Sequence, residues 1–346
     1  MPALVDRMAY VGDQPWWVGL EKGEAVNLGG GAVTAEVMAE RSGLAAWRVD
    51  TTPLYTRHDF RYVTVQHRFS VTRSDNGESL GIVSNRYEPL QNTECFSFFD
   101  EVVSEGQAIY HTAGSLEGGR KVWILAKLPD SVKIAGVDLI ENFLLLMNAH
   151  DGTLAFRFIQ TPIRVVCNNT LNMALYGAGK ESGYRLSHFQ TLRGRLNADD
   201  ARQAVGLAGE WFAAFTGSAQ VLAQTPISAE QKEGLLQRLF PIPEKLLLPA
   251  PIEAPMLLLP EPRAETLMPE FRSVFLKRDV VRGLINKGKG NTGETRWDAF
   301  NGVAEFTDYC MGRNSHRAAN LLYGDGQQLK QEAWNLLVED KLFGVD

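Results

Sequence analysis

Hydrophobic positions alternate with polar ones over much of the first half of the chain, as is typical of β-strands. In residues 60–71, one face carries Val63, Val65, Phe69 and Val71, and the other carries Tyr62, Thr64, Gln66, Arg68 and Ser70. A period of two predicts a sheet with one packed face and one polar face. Further strands are predicted at residues 122–128, 143–147 and 154–166, with Pro162 either breaking the last strand or placing it at an edge.

Turns and short helices separate these strands. Asp75-Asn76-Gly77 predicts a hairpin, because Asn and Gly tolerate positive φ. Thr34 is a predicted N-cap for a helix over residues 35–44, and residues 92–104 form a second predicted helix. Residues 1–33 show neither period and predict an irregular N-terminal segment.

The period becomes helical after about residue 190. Ala204, Ala208, Trp211 and Phe215 form an amphipathic stripe, and Ser228 with Gln231 resembles a capping box. Residues 241–269 are rich in proline, which removes backbone donors, and we expect no regular element there. Helices are predicted to resume at residues 270–286, 296–311 and 327–342.

These patterns predict an α+β fold in two parts. A sheet-rich, mostly antiparallel domain covers residues 1–190, including the N-terminal segment. A helical region covers residues 191–346, and its proline-rich segment 241–269 is expected to pack against the first part.

Composition limits the classes of function that fit this chain. The net charge of -6 excludes a global basic field, so any anion site must be local. The three cysteines, Cys95, Cys167 and Cys310, are far apart, and we expect neither disulfides nor a zinc site. The chain shows no signal peptide and no membrane span, which favours a cytoplasmic protein that does not act on membranes.

Catalytic motifs are absent in their usual contexts. No P-loop or paired metal ligands occur, so we expect neither cofactor nor metal, and a binding protein is favoured over an enzyme. Asn148, His150 and Asp151 are the most enzyme-like group, since a His–Asp pair can act as acid and base or hold a metal. The alternative is that Asp151-Gly152 makes a turn while His150 packs or caps.

Two basic regions are candidate nucleic-acid sites. Residues 271–317 carry nine Lys and Arg against five Asp and Glu, and they include a glycine-rich loop whose backbone N–H groups could converge on an anion. The polar face of residues 57–73 combines arginines with Tyr62, which suits phosphate contact and base stacking. The alternatives are a solvated loop and a cross-strand salt bridge. The candidate residues are Arg57, Arg61, Tyr62, Arg68, Arg157, Arg164, Arg193, Arg195, Lys287, Lys289, Arg296 and Trp297.

Residues 148–171 resemble the signature of the phage/plasmid-like protein family, whose function is unknown. Supporting segments are residues 15–17, 83–87, 91–92, 119–123, 288–293 and 297–302. The resemblance implies a prophage- or plasmid-encoded protein of DNA metabolism, remotely similar to single-strand annealing proteins of the Red-beta and Erf type. It supplies no catalytic residues.

The leading hypothesis is a protein that binds single-stranded DNA and promotes annealing without nucleotide, as a homo-oligomeric ring or filament. One alternative is a metal-dependent nuclease centred on His150 and Asp151. Another is a phage host-interaction protein that binds no nucleic acid.

Overall fold

The protein's structure, a computed structural model, describes residues 5–13, 24–105, 108–153, 156–164, 169–170, 184–186, 198–242, 262–311 and 325–340. Within these ranges the α+β class is confirmed. Antiparallel sheets dominate the first part of the chain, and most helices lie in the second.

The strands of the described residues are β1 (Val5–Tyr10), β2 (Glu24–Asn27), β3 (Val49–His58), β4 (Arg61–Arg73), β5 (Ser79–Ser84), β6 (Ile109–Leu116), β7 (Lys121–Ile134), β8 (Asp138–Ala149), β9 (Phe156–Arg164), β10 (Asn169–Thr170) and β11 (Tyr184–Leu186). The helices are α1 (Ala35–Arg41), α2 (Asn92–Glu105), α3 (Ala198–Gln224), α4 (Ala229–Leu239), α5 (Pro262–Lys287), α6 (Arg296–Glu305) and α7 (Asp325–Val338). Short 3-10 turns occur at Leu44–Ala46 and Glu117–Gly119, and a π-helical turn, Phe306–Cys310, continues α6.

The large sheet has the strand order β10-β9-β8-β7-β6-β1-β2, with β11 also paired to β9. Neighbours are antiparallel except β1 and β2. Leu144 and Leu146 of β8 join the core beneath α1, α2 and the small sheet, whereas Phe143 and Leu145 join the core on the opposite face. Burial of both faces explains why β8 is a continuous apolar run.

The predicted irregularity of residues 1–33 is wrong for β1 and β2. β1 lies inside the large sheet between β6 and β2. Its alternation is broken because the register with β6 shifts between Val5 and Arg7, as at a β-bulge. β2 is short and mostly exposed, so it carries little hydrophobic signal.

A small sheet of β3, β4 and β5 contains the predicted alternating segment and the predicted hairpin. Its apolar face was only partly predicted, since Val71 is buried but Val63 is 49% exposed. Pro53 pairs with Phe69 and Tyr55 pairs with Thr64, so four residues of β4 face one residue of β3. The extra residues include His67 at φ 58°. An odd number of extra residues exchanges the two faces of a strand, so one face could not stay apolar throughout β4.

The helices of the second part share one core, to which Phe215, Leu236, Ile285, Phe300 and Leu337 contribute. The capping box predicted at Ser228 is present, with Gln231 as its partner. Ile134 and Ile140, at the far ends of β7 and β8, lie in this core as well, so the sheet-rich and helical parts are packed together.

The helix predicted after the proline-rich segment begins earlier than expected. α5 starts at Pro262 and continues through Pro269, so a regular element does run through residues 262–269. Proline is favoured in the first helical turn because its missing N–H has no intrahelical partner there. The rest of the predicted irregular segment, residues 243–261, lies outside the described residues.

Candidate nucleic-acid interface

The most exposed structure in the described chain is the end of the β3–β4 hairpin, residues 55–64, which we call the β-arm. All of its residues are exposed, on both faces. The strands pair Tyr55 with Thr64, Arg57 with Tyr62 and His58 with Arg61. An isolated two-stranded hairpin is marginally stable in water, so the β-arm depends on how its base is held.

One face of the β-arm combines aromatic rings with a cation. Because side chains alternate along each strand, Tyr55, Arg57 and Tyr62 share a face. Tyr55 is 56% exposed and Tyr62 is 78% exposed. The Arg57 guanidinium lies 5.1 Å from the Phe60 ring centroid at the tip. This face offers a planar stacking surface beside a positive charge.

Three arginines of this hairpin, Arg57, Arg61 and Arg68, form no ion pair with a carboxylate in the described structure. Among the described residues, the one ion pair of the β-arm joins His58 Nδ1 to Asp59 Oδ2 at 3.4 Å, and Arg57, Arg61 and Arg68 take part in none. The cross-strand salt bridge considered from the sequence is therefore not formed within the described part of the chain. The three guanidinium groups can bind an external anion.

The base of the β-arm is clamped at the start of β3. The Gln91 side chain donates from Nε2 to the Val49 carbonyl oxygen at 2.8 Å and accepts from the Val49 N–H at 3.0 Å. A side-chain amide thereby pairs with the open edge of β3, just ahead of the first turn of α2.

Arg73 clamps the end of β4. Its Nη1 donates to the Gly118 carbonyl oxygen at 2.9 Å, and its Nε and Nη2 donate to both oxygens of Asp75, which lowers the pKa of Asp75. The guanidinium also lies 4.4 Å from the centroid of the buried Trp47 ring. The clamp leaves no room at Gly119, where a Cβ would come within 3.1 Å of Trp47.

Asp6 of β1 holds the turn that receives Arg73. Its carboxylate accepts from the N–H groups of Gly118 and Gly119 at 3.0 and 2.9 Å, and from Ser115 Oγ at 3.1 Å. Burial raises the pKa of Asp6, although these hydrogen bonds oppose the shift. The turn, β1 and the end of β4 are thus linked in one network.

His150 belongs to the same base and not to a solvent-accessible catalytic site. It is 0% exposed, its Nε2 is hydrogen-bonded to Asn92 Oδ1 at 2.9 Å, and its ring meets Trp47 edge-on at 5.5 Å. Because Asn92 Nδ2 donates to the Leu44 carbonyl oxygen, Asn92 Oδ1 is the acceptor and His150 Nε2 carries a proton. His150 therefore joins the end of β8 to the start of α2.

Asp151 makes the turn considered from the sequence. Its Oδ1 accepts from both the N–H and the hydroxyl of Thr153, at 2.9 and 2.6 Å. Gly81 of β5 lies directly against this turn, since a Cβ there would be 2.7 Å from Asp151 Cα. In the described part of the chain, no group of His, Cys, Asp or Glu side chains is arranged to hold a metal ion.

The second candidate region, residues 286–293, which we call the glycine–lysine loop, is turned towards the chain's own carboxylates. The Lys289 N–H donates to Glu305 Oε2 at 3.2 Å. Asp298 Oδ2 accepts from the Thr292 hydroxyl at 2.9 Å and from the N–H groups of Glu294 and Thr295, both at 3.1 Å. These donors meet carboxylates of the chain itself, and none of them is the N–H of a loop glycine. The predicted convergence of glycine N–H groups on an external anion stays a prediction.

Arg296 and Trp297 are buried at the start of α6, which does not support direct contact with nucleic acid. Arg296 donates from Nη1 to the Leu337 carbonyl oxygen at 3.0 Å and also bonds Asp340. Trp297 Nε1 donates to Asp138 Oδ2 at 2.7 Å. Arg296 thereby joins α6 to the end of α7, and Trp297 joins α6 to the start of β8.

The remaining candidates are scattered. Lys287 and Lys289 are exposed on the glycine–lysine loop, and Arg157 is half-buried on β9. Arg164 ends β9, with its side chain outside the described part of the chain, where Arg193 and Arg195 also lie. Of the candidates whose side chains the structure describes, Arg57, Arg61, Tyr62 and Arg68 are the group that lies on one hairpin.

Tyr55 and Phe60 on the β-arm, and Trp47 and Asp6 at its base, were not predicted from the sequence, whereas Arg73 was predicted only as part of the basic stretch of residues 57–73. The exposed aromatics could have been noticed as aromatic residues beside arginines. The base could not, because its partners are far apart in sequence and meet only through the pairing of the sheets.

Residues 79–334 match a family described as a domain of unknown function (DUF932). This match covers most of the chain, and the chain belongs to that family. No curated protein and no solved structure is similar enough to count as a match. The family region supplies Gln91, Asn92, Gly118 and His150 of the base, whereas the β-arm precedes it. No helix in the described ranges has the length and apolarity needed to cross a membrane.

Proposed function

We propose that this protein binds single-stranded nucleic acid, DNA in particular, through the β-arm. The observation that carries the proposal is the exposed face of Tyr55, Arg57 and Tyr62, whose arginine is paired with no carboxylate of the described residues. Guanidinium groups bind phosphates, and exposed rings stack on bases whatever the sequence.

A single strand fits this face better than a duplex. The rings present flat surfaces, and a base can cover them only when it is not already stacked between two neighbours. The β-arm has few cations, and the chain as a whole is acidic, with a net charge of -6. Binding to duplex backbone alone would require a broader basic surface.

We further propose that the protein promotes annealing as a homo-oligomer. A hairpin of this length spans about 17 Å at about 3.4 Å per residue, so one β-arm holds only a few nucleotides. A ring or filament of copies would join several β-arms into a longer track. Pairing of the two strands supplies the driving force, so no nucleotide cofactor is required. The resemblance to phage and plasmid proteins supports such a role in the cytoplasm, in the DNA metabolism of a mobile element.

Binding should be tested with a labelled single strand, by fluorescence anisotropy across a salt series in EDTA. We expect the logarithm of affinity to fall linearly with the logarithm of salt, by about 0.7 per phosphate contact. A quench assay with complementary strands and a sizing measurement then test annealing and self-association. Affinity that does not respond to salt would contradict the electrostatic part of the proposal.

The same experiment separates the two alternatives. Cleavage on adding magnesium, abolished by His150→Ala but retained in a β-arm variant, would favour a nuclease, although the full burial of His150 argues against it. Absence of both binding and cleavage would leave the β-arm as a surface for a protein partner.

A further inference from the structure

The tip of the β-arm has an unusual composition for its backbone geometry. His58 and Arg61 form the last cross-strand pair, so Asp59 and Phe60 are a two-residue connection. Both have positive φ, 44° for Asp59 and 62° for Phe60. Such turns favour Asn-Gly or Asp-Gly, because a Cβ at positive φ meets the backbone. An aromatic residue in the second position is therefore disfavoured locally.

Phe60 is also disfavoured by its exposure. Its side chain is 89% exposed, more than any other large hydrophobic residue described. The ring's neighbour is the Arg57 guanidinium, 5.1 Å from its centroid, which leaves most of the ring in water. Glycine at this position would relieve the backbone and remove the exposed apolar surface, so folding does not account for phenylalanine here. Strain of this kind, held where solvent can reach it, points to a binding role.

The surroundings of Phe60 fit one class of partner. Arg57 and Arg61 flank the tip, and neither is ion-paired with a carboxylate in the described structure. Asp59 opposes them, but its carboxylate lies 3.4 Å from His58 Nδ1. A ring carried at the end of a narrow hairpin and flanked by guanidinium groups resembles the apolar wedges that enter a base step while cations hold the adjacent phosphates.

We propose that Phe60 inserts between neighbouring bases and unstacks them, with Arg57 and Arg61 on the phosphates at either side. This inference rests on the proposed function, and it adds an activity: the β-arm opens the stacking of the strand that it binds. A strand held with its bases unstacked exposes their pairing edges, which is what a complementary strand must reach.

The test uses the full-length protein and a single-stranded oligonucleotide with one 2-aminopurine between purines, whose fluorescence rises when its neighbours unstack. Saturating wild-type protein should raise the fluorescence. Phe60→Gly, which gives the Asp-Gly pair favoured in this turn, should lose that rise and bind roughly 5- to 150-fold more weakly, as expected for one lost base–aromatic contact. Phe60→Tyr retains a ring and should restore both signals.

A thermal melt accompanies each variant. Phe60→Gly should melt no lower than wild type, because the substitution relieves the turn. Full fluorescence enhancement and unchanged affinity in Phe60→Gly would overturn the wedge while leaving β-arm binding intact. Failure of the wild-type protein to bind the oligonucleotide would instead overturn the proposed function, and the wedge with it.

Discussion

The β-arm and the glycine–lysine loop look equally suited to bind an anion when only the sequence is considered. In the structure the loop bonds to carboxylates of the chain itself, whereas the β-arm extends into solvent. Both combine cations with aromatic or glycine residues. Donors of the loop reach Glu305 and Asp298. Gly288 and Gly293 lie so close to neighbouring atoms that a Cβ at either would come within 3 Å of them. Within the described structure, Arg57 and Arg61 of the β-arm are paired with no carboxylate, and the rings of Tyr55, Phe60 and Tyr62 are exposed to solvent. Residue type alone therefore does not define an anion site, because the chain's own carboxylates compete for the same donors.

The largest expected difference is in nucleic-acid affinity. Replacing Arg57, Arg61 and Tyr62 of the β-arm with alanine removes two phosphate ligands and one stacking surface. We expect affinity for a single strand to fall about 100-fold or more, since one stacked base alone contributes about 1–3 kcal/mol. Anisotropy at fixed salt measures the loss, and thermal melting checks that the variant is folded. A folded triple variant that binds as tightly as wild type would remove the β-arm from the interface.

The extent to which the fold and the candidate site could be predicted from the sequence differs from element to element. Local signals sufficed where one element determines its own form, as in the Thr34 cap, the hairpin after β4 and the capping box at Ser228. They failed where partners are distant. The bulge at His67 exchanges the faces of β4, and Trp297 is buried in a core of distant residues and hydrogen-bonded to Asp138. The spacing of hydrophobic residues along the chain contains no information about such contacts.

The stability of the protein is expected to depend on pH through His111, which lies in the large sheet and not in the exposed β-arm. Burial, followed by the charge of Lys127, lowers the pKa of His111 to about 4. The unfolded chain takes up that proton first, from its ordinary value of 6.5, so acid favours unfolding. Stability should fall as pH drops from 6.5 towards 4, by up to about 3 kcal/mol at about 1.4 kcal/mol per unit.

The check is a series of denaturant unfolding curves for wild type and for His111→Phe, which cannot titrate. The difference between the two proteins isolates His111 from the carboxylates that titrate in the same range. Parallel pH profiles would show that His111 gains its proton in the folded state as readily as in the unfolded state.

Substitutions at two glycines, one in the loop and one in α5, test whether the loop requires glycine for close packing. A Cβ at Gly288 would overlap the Leu284 carbonyl oxygen and lie 2.6 Å from Glu305 Oε2, whereas a Cβ at Gly283, one turn earlier in α5, meets nothing within 4 Å. Gly288→Ala should destabilise the protein by about 1–3 kcal/mol, as overpacking does. Gly283→Ala should stabilise it by about 0.5–1 kcal/mol. Equal effects in urea unfolding would mean that the loop does not close on α6 as described.

The smallest expected effect comes from Lys287 and Lys289, and it bears most directly on the comparison. Both side chains are exposed, and Lys289 Nζ lies 5.6 Å from the centroid of the Tyr309 ring. The N–H groups of Gly288, Lys289 and Asn291 are already hydrogen-bonded within the chain, so we expect the lysine side chains to be the loop's main ligands for a phosphate. The charge they add to the surface is screened beyond about 8–10 Å at ordinary salt. Replacing both with alanine should change affinity by less than about twofold and leave the salt slope unaltered.

The matched control is Arg57→Ala with Arg61→Ala, which removes the same charge from the β-arm and should lower the slope by about 0.7 per lost contact. If the lysine pair lowers the slope as much as the arginine pair, the loop lies on the nucleic-acid path and the contrast between the two regions fails.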